Sequence, residues 1–356
     1  MEKKLYVRDL ITGQQVRDVF VVSRVSLAET KAGKAYLALR LMDRTGDIEA
    51  RLWDNAEHFA PLAAQGAFVQ VTAVVKSFRE QLQLGVASLG PVNADQIDLE
   101  KFFPASKRDP KEMRRELKQH ITGMADVGLR KLLSTIFQGE VLEQFLRAPA
   151  AKKMHHAYLG GLAEHTLSVT GLAVQTAQQY PILDRDMLVA GSLLHDLAKI
   201  KEFDFGTLPC TYTDQGRLLG HLVLGVEMVR EAAASIPELH PERVDQLSHI
   251  ILSHHGQLEF GSPVLPMTPE AVLLHHLDDV DAKMNYMERL RNKMKEPGWQ
   301  WTDYQRPLER FLYLNATNSA EAGRVKQGTV PEENGGQVGQ GSLTSQGSRQ
   351  RQQSLF

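Results

Sequence analysis

The sequence predicts a chain of two unlike domains, a small antiparallel β-barrel of the OB type followed by an all-α helical bundle. Three observations carry that reading. Residues 5–92 alternate apolar and polar side chains with a period of two, between short turns. From 111 to about 314 the apolar residues recur at helical spacing instead. Between these regions, "NADQIDLEKFFPASKRDP" (93–110) mixes charge with proline and reads as a linker.

The barrel follows strand by strand. "RDVFVVSRVSLAET" is a β-branched run that suits a first strand. In "KAYLALRLMDRTGDIEARLWD", Leu37, Leu39 and Leu41 point one way and Tyr36 and Arg40 the other. After the "RTGD" turn, Ile48, Ala50 and Leu52 lie opposite Glu49, Arg51 and Trp53. "AFVQVTAVVKSF" and "QLQLGVASLGPV" add two strands, and "NAEHFAPLAAQG" before them reads as a short helix or loop. A helical insert between the third and fourth of about five twisted strands fits a closed OB barrel over 1–92.

The helical region opens on "PKEMRRELKQHI", where a proline stands near the helix start and Met113, Leu117 and Ile121 are spaced by four. Further helices are predicted over 127–137, 140–147, 161–180, 185–198, 220–235, 241–254 and 268–294, with "RPLERFLYL" closing a domain that spans 111–314. Residues 315–356 are rich in Gly, Ser, Gln and Asn; a tail with so little to bury is expected to be disordered.

Composition bounds the function. Hydrophobic residues make up 42% of the 356 and charged residues 24%, as in an ordinary globular protein. The formal net charge of -2 does not announce a nucleic-acid binder, so any such surface must be local. One local excess exists: residues 101–131 hold nine Lys or Arg against four Asp or Glu. Cys210 is the single cysteine, which rules out an intrachain disulfide and a zinc–thiolate cluster and suits a cytoplasmic protein. "MEKKLYVRDL" has no apolar signal region, and no run is long enough for a membrane span, so no membrane partner is expected.

The chemistry lies in the histidines, which concentrate between His155 and His276. "GGLAEHTLSV" offers His165, "GSLLHDLAKIKEF" offers His195 and Asp196, "GRLLGHLVLG" offers His221, and "ILSHHGQ" offers His254 and His255. "LLHHLDDVDAK" adds His275, His276, Asp278, Asp279 and Asp281. An imidazole and a carboxylate side by side after an apolar helical run are costly to bury without a partner, and a metal ion would partner both. Neutral imidazoles and carboxylates suit Mn, Fe, Zn, Ni or Mg, and a carboxylate such as Asp196 can bridge two ions. His275, His155 and His156 stand evenly between core and site roles. Of the three acids in "LDDVDAK", one is expected to ligate while the others cap, pair or face solvent.

The order His165, His195–Asp196, His221, His254–His255, Asp278 resembles the HD superfamily of metal-dependent phosphohydrolases, in its extended form with additional histidines. By position, the resemblance makes His165, His195, Asp196 and Asp278 the core metal ligands. It makes His221, His254 and His255 the ligands, or the supports, of a second ion. Lys199 matches the family's basic residue one turn after the HD pair, expected on a phosphate oxygen or a supporting acid; otherwise it is a surface charge. The β domain, the linker, "HHAYLGGLAEHTLSV", "HDLAKIKEF", "GRLLGHLVLG" and "LSHHG" together are similar to the YhaM-type 3'-to-5' exoribonucleases over roughly residues 5–314.

That resemblance implies one or two divalent ions, manganese first with Fe, Ni, Zn or Mg as alternatives. Asp196 and Lys199 are the expected catalytic residues. The implied reaction is hydrolysis of the terminal phosphodiester of single-stranded RNA, with single-stranded DNA as a second substrate, releasing nucleoside 5'-monophosphates. No Walker-type phosphate loop is present, which argues against ATP-driven action. A barrel that binds single strands needs charge along the backbone and aromatic platforms for bases. Tyr36, Arg40, Arg51 and Trp53, with Lys76, Phe78 and Arg79 ending another strand, are the candidates; a solvated face or a plug against the helical domain is the plainer alternative. Two other functions remain open at this point: an HD phosphohydrolase of a small nucleotide, and a non-catalytic nucleic-acid-binding protein. A homo-oligomer is compatible with the sequence.

Overall fold

The structure, a computed structural model, describes residues 3–30, 32–78, 81–93, 97–98, 101–151, 156, 158–205, 210–294 and 296–316. Arg79, His155 and the tail from 317 onward lie outside the described residues.

The N-terminal region is a closed five-stranded barrel of order β1-β2-β3-β5-β4. Its strands are β1 (Gln15–Glu29), β2 (Ala35–Asp43), β3 (Gly46–Leu52), β4 (Phe68–Phe78) and β5 (Gln81–Pro91). The helical insert is α1 (Ala56–Phe59), extended by a 3-10 turn over Ala60–Ala63. Closure comes from a parallel pairing of β3 with β5, Glu49 to Gln83 through Leu52 to Val86. Leu37, Leu39, Leu41, Ile48, Ala50 and Leu52 all face the buried interior with Phe20, Val69 and Val71. The alternation in the sequence therefore translates directly into inside and outside.

β1 breaks that rule over Val19–Val22, where four successive residues are buried. The cause is the stretch read as a linker. Phe102 and Phe103 seat on Val19 and Val21, with Phe68 edge-on to both rings. The same stretch is tied forward, since Leu159 N donates to Pro104 O and Ser106 N to Leu159 O. In its described part the connection is thus docked rather than a loose tether.

The helices are α2 (Pro110–Thr122), α3 (Val127–Ile136), α4 (Gly139–Arg147), α5 (Gly161–Ala177), α6 (Arg185–Leu194), α7 (Lys199–Glu202), α8 (Asp214–Ala233), α9 (Pro241–Ser253) and α10 (Pro269–Lys293). Every residue of α6 from Asp186 to Leu194 is buried, so α6 is the helix around which the others pack. Two boundaries differ from the sequence pattern. The helix expected over 185–198 stops at Leu194, because His195–Ala198 form a turn. The helix expected from 220 starts at Asp214, capped by Thr213, whose hydroxyl accepts from Gly216 N at 2.8 Å. Gly220 then interrupts it with φ 71°, a conformation glycine adopts without a steric cost.

Gly216 allows a close approach. A Cβ there would lie 2.2 Å from the backbone oxygen of Glu202. Gly216→Ala is therefore expected to push Glu202 and its loop away, at about 1–3 kcal/mol by analogy with overpacked cores. A calorimetric melt should show the lower Tm; an unchanged Tm would mean that this contact is soft.

A second compact unit begins at Arg291. In it β8 (Gly298–Trp301) pairs antiparallel with β9 (Tyr313–Ala316), so "RPLERFLYL" forms a 3-10 turn and the start of a strand. Among the described residues, no helix is long and apolar enough to cross a membrane.

Candidate metal centre

Five segments converge on the carboxylate of Asp196, which is 2% exposed. α5 contributes His165. The turn after α6 contributes His195 and Asp196. α8 contributes His221 just past its kink, α9 is followed by His254 and His255, and α10 contributes Asp278.

The two oxygens of Asp196 face different histidines. Oδ2 lies 3.5 Å from His195 Nε2 and 3.6 Å from His165 Nε2. Oδ1 lies 3.4 Å from His221 Nε2 and 3.6 Å from His254 Nε2. Asp278 Oδ1 is 3.1 Å from His165 Nε2. Ligand-competent atoms accordingly form one set of His165, His195 and Asp278, and another of His221, His254 and His255, each within 4.8 Å. His195, Asp196 and His254 form a third set that joins them.

Each imidazole is held by Nδ1, which leaves Nε2 to the centre. His195 Nδ1 bonds Ser192 O at 2.8 Å and His254 Nδ1 bonds Ile251 O at 2.8 Å, each ring closing the last turn of the helix before it. His255 Nδ1 bonds Phe260 O at 3.0 Å. His165 Nδ1 meets Asp281 Oδ2 at 2.7 Å, and His221 Nδ1 meets Glu202 Oε2 at 3.1 Å. Fixing the tautomer from outside is how proteins aim imidazole ligands at a metal.

These residues fit a divalent cation. Asp196 Oδ1 and His221 Nε2 are buried without a hydrogen-bond partner among the described residues, an arrangement that costs free energy unless something else binds there. His165 Nε2 and His195 Nε2 face each other at 3.3 Å, so both rings aim a nitrogen into the same small space. Mixed imidazole and carboxylate donors suit Mn, Fe, Ni, Zn or Mg.

Electrostatics agree. Burial lowers the pKa values of His195 and His254 and brings His255 to about 4, so these rings stay neutral, as ligands must be. Burial raises the Asp196 pKa, but Lys199 and His195 outweigh it and hold the carboxyl well below its usual range. Burial also pulls His165 down, yet its bonds to Asp278 and Asp281 prevail and raise it to about 10. A cation between His165 Nε2 and Asp278 would take the place of the proton held there.

Lys199 is buried, not a surface charge, and its Nζ lies 2.6 Å from Asp196 Oδ2. Of the acids on α10, Asp278 and Asp281 face the histidines, whereas Asp279 is turned away and pairs with Lys283 at 2.5 Å. His275 Nδ1 bonds His254 O at 3.0 Å and so supports the turn that carries two histidines. Sequence reasoning missed Glu202 and left His156 and Asp281 without a role. A single acid on a helix resembles a solvated charge, and the only signal for Glu202 was its place in the same short motif as Asp196.

Of the barrel candidates, those among the described residues share one outer face; Arg79 lies outside them. The register Arg24–Arg40, Arg40–Glu49, Glu49–Gln83 and Gln83–Lys76 runs one row of side chains across all five strands. Arg40 pairs with Asp47, and Arg51 Nη2 lies 3.6 Å from Glu49. The rings of Tyr36 and Trp53 stack at 4.6 Å, with the Arg51 guanidinium 5.5 Å from the Tyr36 centroid. Trp53 is 43% exposed and Phe78 58%.

Comparison with known proteins gives three kinds of likeness. The HD domain family matches residues 162–283. The 3'-5' exoribonuclease YhaM of Bacillus subtilis (strain 168) is 36% identical over 306 residues, covering 86% of this chain and 96% of that protein. The protein of the same name from Halalkalibacterium halodurans is 34% identical over 287 residues, 80% of this chain and 88% of that one. A solved second OB-fold domain of replication protein A from Methanococcus maripaludis aligns with 27% of this chain and 97% of its own, at 21% identity and a TM-score of 0.22.

Proposed function

The chain belongs to the YhaM family of HD-domain 3'-5' exoribonucleases, and from that premise we propose that it shortens single-stranded RNA from the 3' end at the Asp196 centre. It is a metal-dependent phosphohydrolase with 3'-5' exoribonuclease activity. The observation that carries the reading is the shared carboxylate: two sets of ligand atoms lie on opposite oxygens of Asp196.

When bound, divalent cations there lower the pKa of water and neutralise phosphate charge. The chain does the rest. His165, His195 and Asp278 hold one side, and His221, His254 and His255 the other. Lys199 keeps Asp196 ionised and presents an ammonium to a non-bridging phosphate oxygen. Manganese is the proposed ion, in keeping with the donor set, and nucleoside 5'-monophosphates are the proposed products. The proposed division is a nucleic-acid-binding barrel over 1–92, a connection over 93–110, the catalytic domain over 111–314 and a polar tail over 315–356. A cytoplasmic setting completes the reading.

The outer face of the barrel is proposed to carry the strand, with Tyr36 and Trp53 as the stacking platform and Arg40, Arg51 and Lys76 along the backbone. Phe78 extends it, and Arg79 follows in sequence. Single-stranded DNA would fit the same platform, because every base has a π-face. Trp53→Ala is expected to weaken RNA binding about fivefold to a hundredfold, since a base stack contributes about 1–3 kcal/mol. Its salt dependence should be unchanged, whereas Arg51→Ala should flatten that dependence. Fluorescence anisotropy with single-stranded RNA at several salt concentrations reads both. A Trp53→Ala protein with wild-type affinity and a lower Tm would assign the Tyr36–Trp53 pair to barrel stability.

Incubating the manganese-loaded protein with 5'-labelled single-stranded RNA tests the function itself. A ladder that shortens from the 3' end is expected. Intact RNA beside hydrolysis of a small nucleotide would favour the phosphohydrolase alternative.

A further inference from the structure

We propose that Asp281 and Glu202 are positioning residues, each backing one histidine of a different half of the centre and thereby setting the affinity of one of two separate cation sites. The proposal rests on the metal-centre reading above.

The five imidazoles are not held alike. His195, His254 and His255 lean on neutral backbone oxygens, those of Ser192, Ile251 and Phe260. Only His165 and His221 lean on carboxylates, Asp281 at 2.7 Å and Glu202 at 3.1 Å. These two rings belong to different ligand sets. Each half therefore has one histidine whose ring is oriented and held by an anion behind it.

Both carboxylates are themselves fixed. Asp281 is 8% exposed and lies one helical turn beyond Asp278, so α10 grips the His165 ring at both nitrogens. Its Oδ1 accepts from Ser168 on α5, one turn beyond His165. Its Oδ2 also meets His156 Nε2 at 2.9 Å. His156 is latched to the same helix, as its backbone N donates to Asn285 Oδ1 at 3.1 Å. Glu202, also 8% exposed, spans the kink in α8: Oε2 takes the His221 ring, and Oε1 accepts from His221 N at 3.3 Å. Ring and backbone of His221 thus turn together, just where Gly220 breaks the helix.

The test uses full-length protein stripped with a chelator and titrated with Co²⁺, read by calorimetry and by the visible absorption of the bound ion. Wild type should show two binding events. Asp281→Asn and Glu202→Gln should each weaken one event by about 10–100-fold, the range for lost outer partners of metal-bound histidine, and should weaken different ones. Asp279→Asn, on the same helix but turned away, should change neither. Ser168→Ala, which removes the hydroxyl that donates to Asp281 and no ligand atom, should repeat the Asp281→Asn effect at smaller size, so misfolding of one variant leaves a second reading. Two wild-type events that survive both Asp281→Asn and Glu202→Gln overturn this proposal alone. Wild-type protein that takes up no Co²⁺, or a single ion, overturns the two-sided centre beneath it.

Discussion

Asp196→Asn should abolish RNA hydrolysis, with a loss of more than ~100-fold, while circular dichroism keeps its helical signal. The substitution changes no volume and leaves α6 and the turn after it in place. It removes the one anion whose two oxygens face both ligand sets, at 3.4–3.6 Å from four imidazole nitrogens. An amide presents N–H groups to one of those sets and carries no charge. The several kcal/mol of transition-state charge stabilisation that a bound divalent ion provides would be lost, and each 1.36 kcal/mol is about tenfold in rate. An RNA-decay time course decides it. Turnover near that of wild type would place the chemistry elsewhere.

Metal removal should have the second large effect. Chelated protein is expected to be inactive and to melt lower than the loaded form. A ligand that binds only the folded state stabilises it by about 2.7 kcal/mol at one hundred times its Kd. For a chain of this size that corresponds to a rise in Tm of several degrees on adding manganese. The same addition should leave the Tm of Asp196→Asn nearly unmoved. Equal shifts in both proteins would show that manganese stabilises the fold somewhere other than at Asp196.

How far the sequence speaks for this molecule differs by level. Barrel alternation was legible because Leu37, Leu39, Leu41, Ile48, Ala50 and Leu52 meet a single dry interior. The centre's principal residues were legible because five helical segments repeat the same anomaly, a titratable group within an apolar run. What stayed hidden depends on three-dimensional neighbours. Phe102 and Phe103 sit in a polar stretch, and only the outer face of β1 reveals why they are buried. The end of α6 at Leu194 has no proline or glycine to mark it; the His195 ring closes that turn on Ser192 O. Asp281 and Glu202 each look like one charge among many on a helix. Their roles appear only when the far nitrogens of His165 and His221 are located.

Anomalous diffraction at the manganese edge, from crystals grown with Mn²⁺, tests the central claim most directly. The account predicts anomalous density against both oxygens of Asp196, one peak bounded by His165, His195 and Asp278 and the other by His221, His254 and His255. Bound manganese that touches none of these residues, or crystals with no manganese near Asp196, would contradict it.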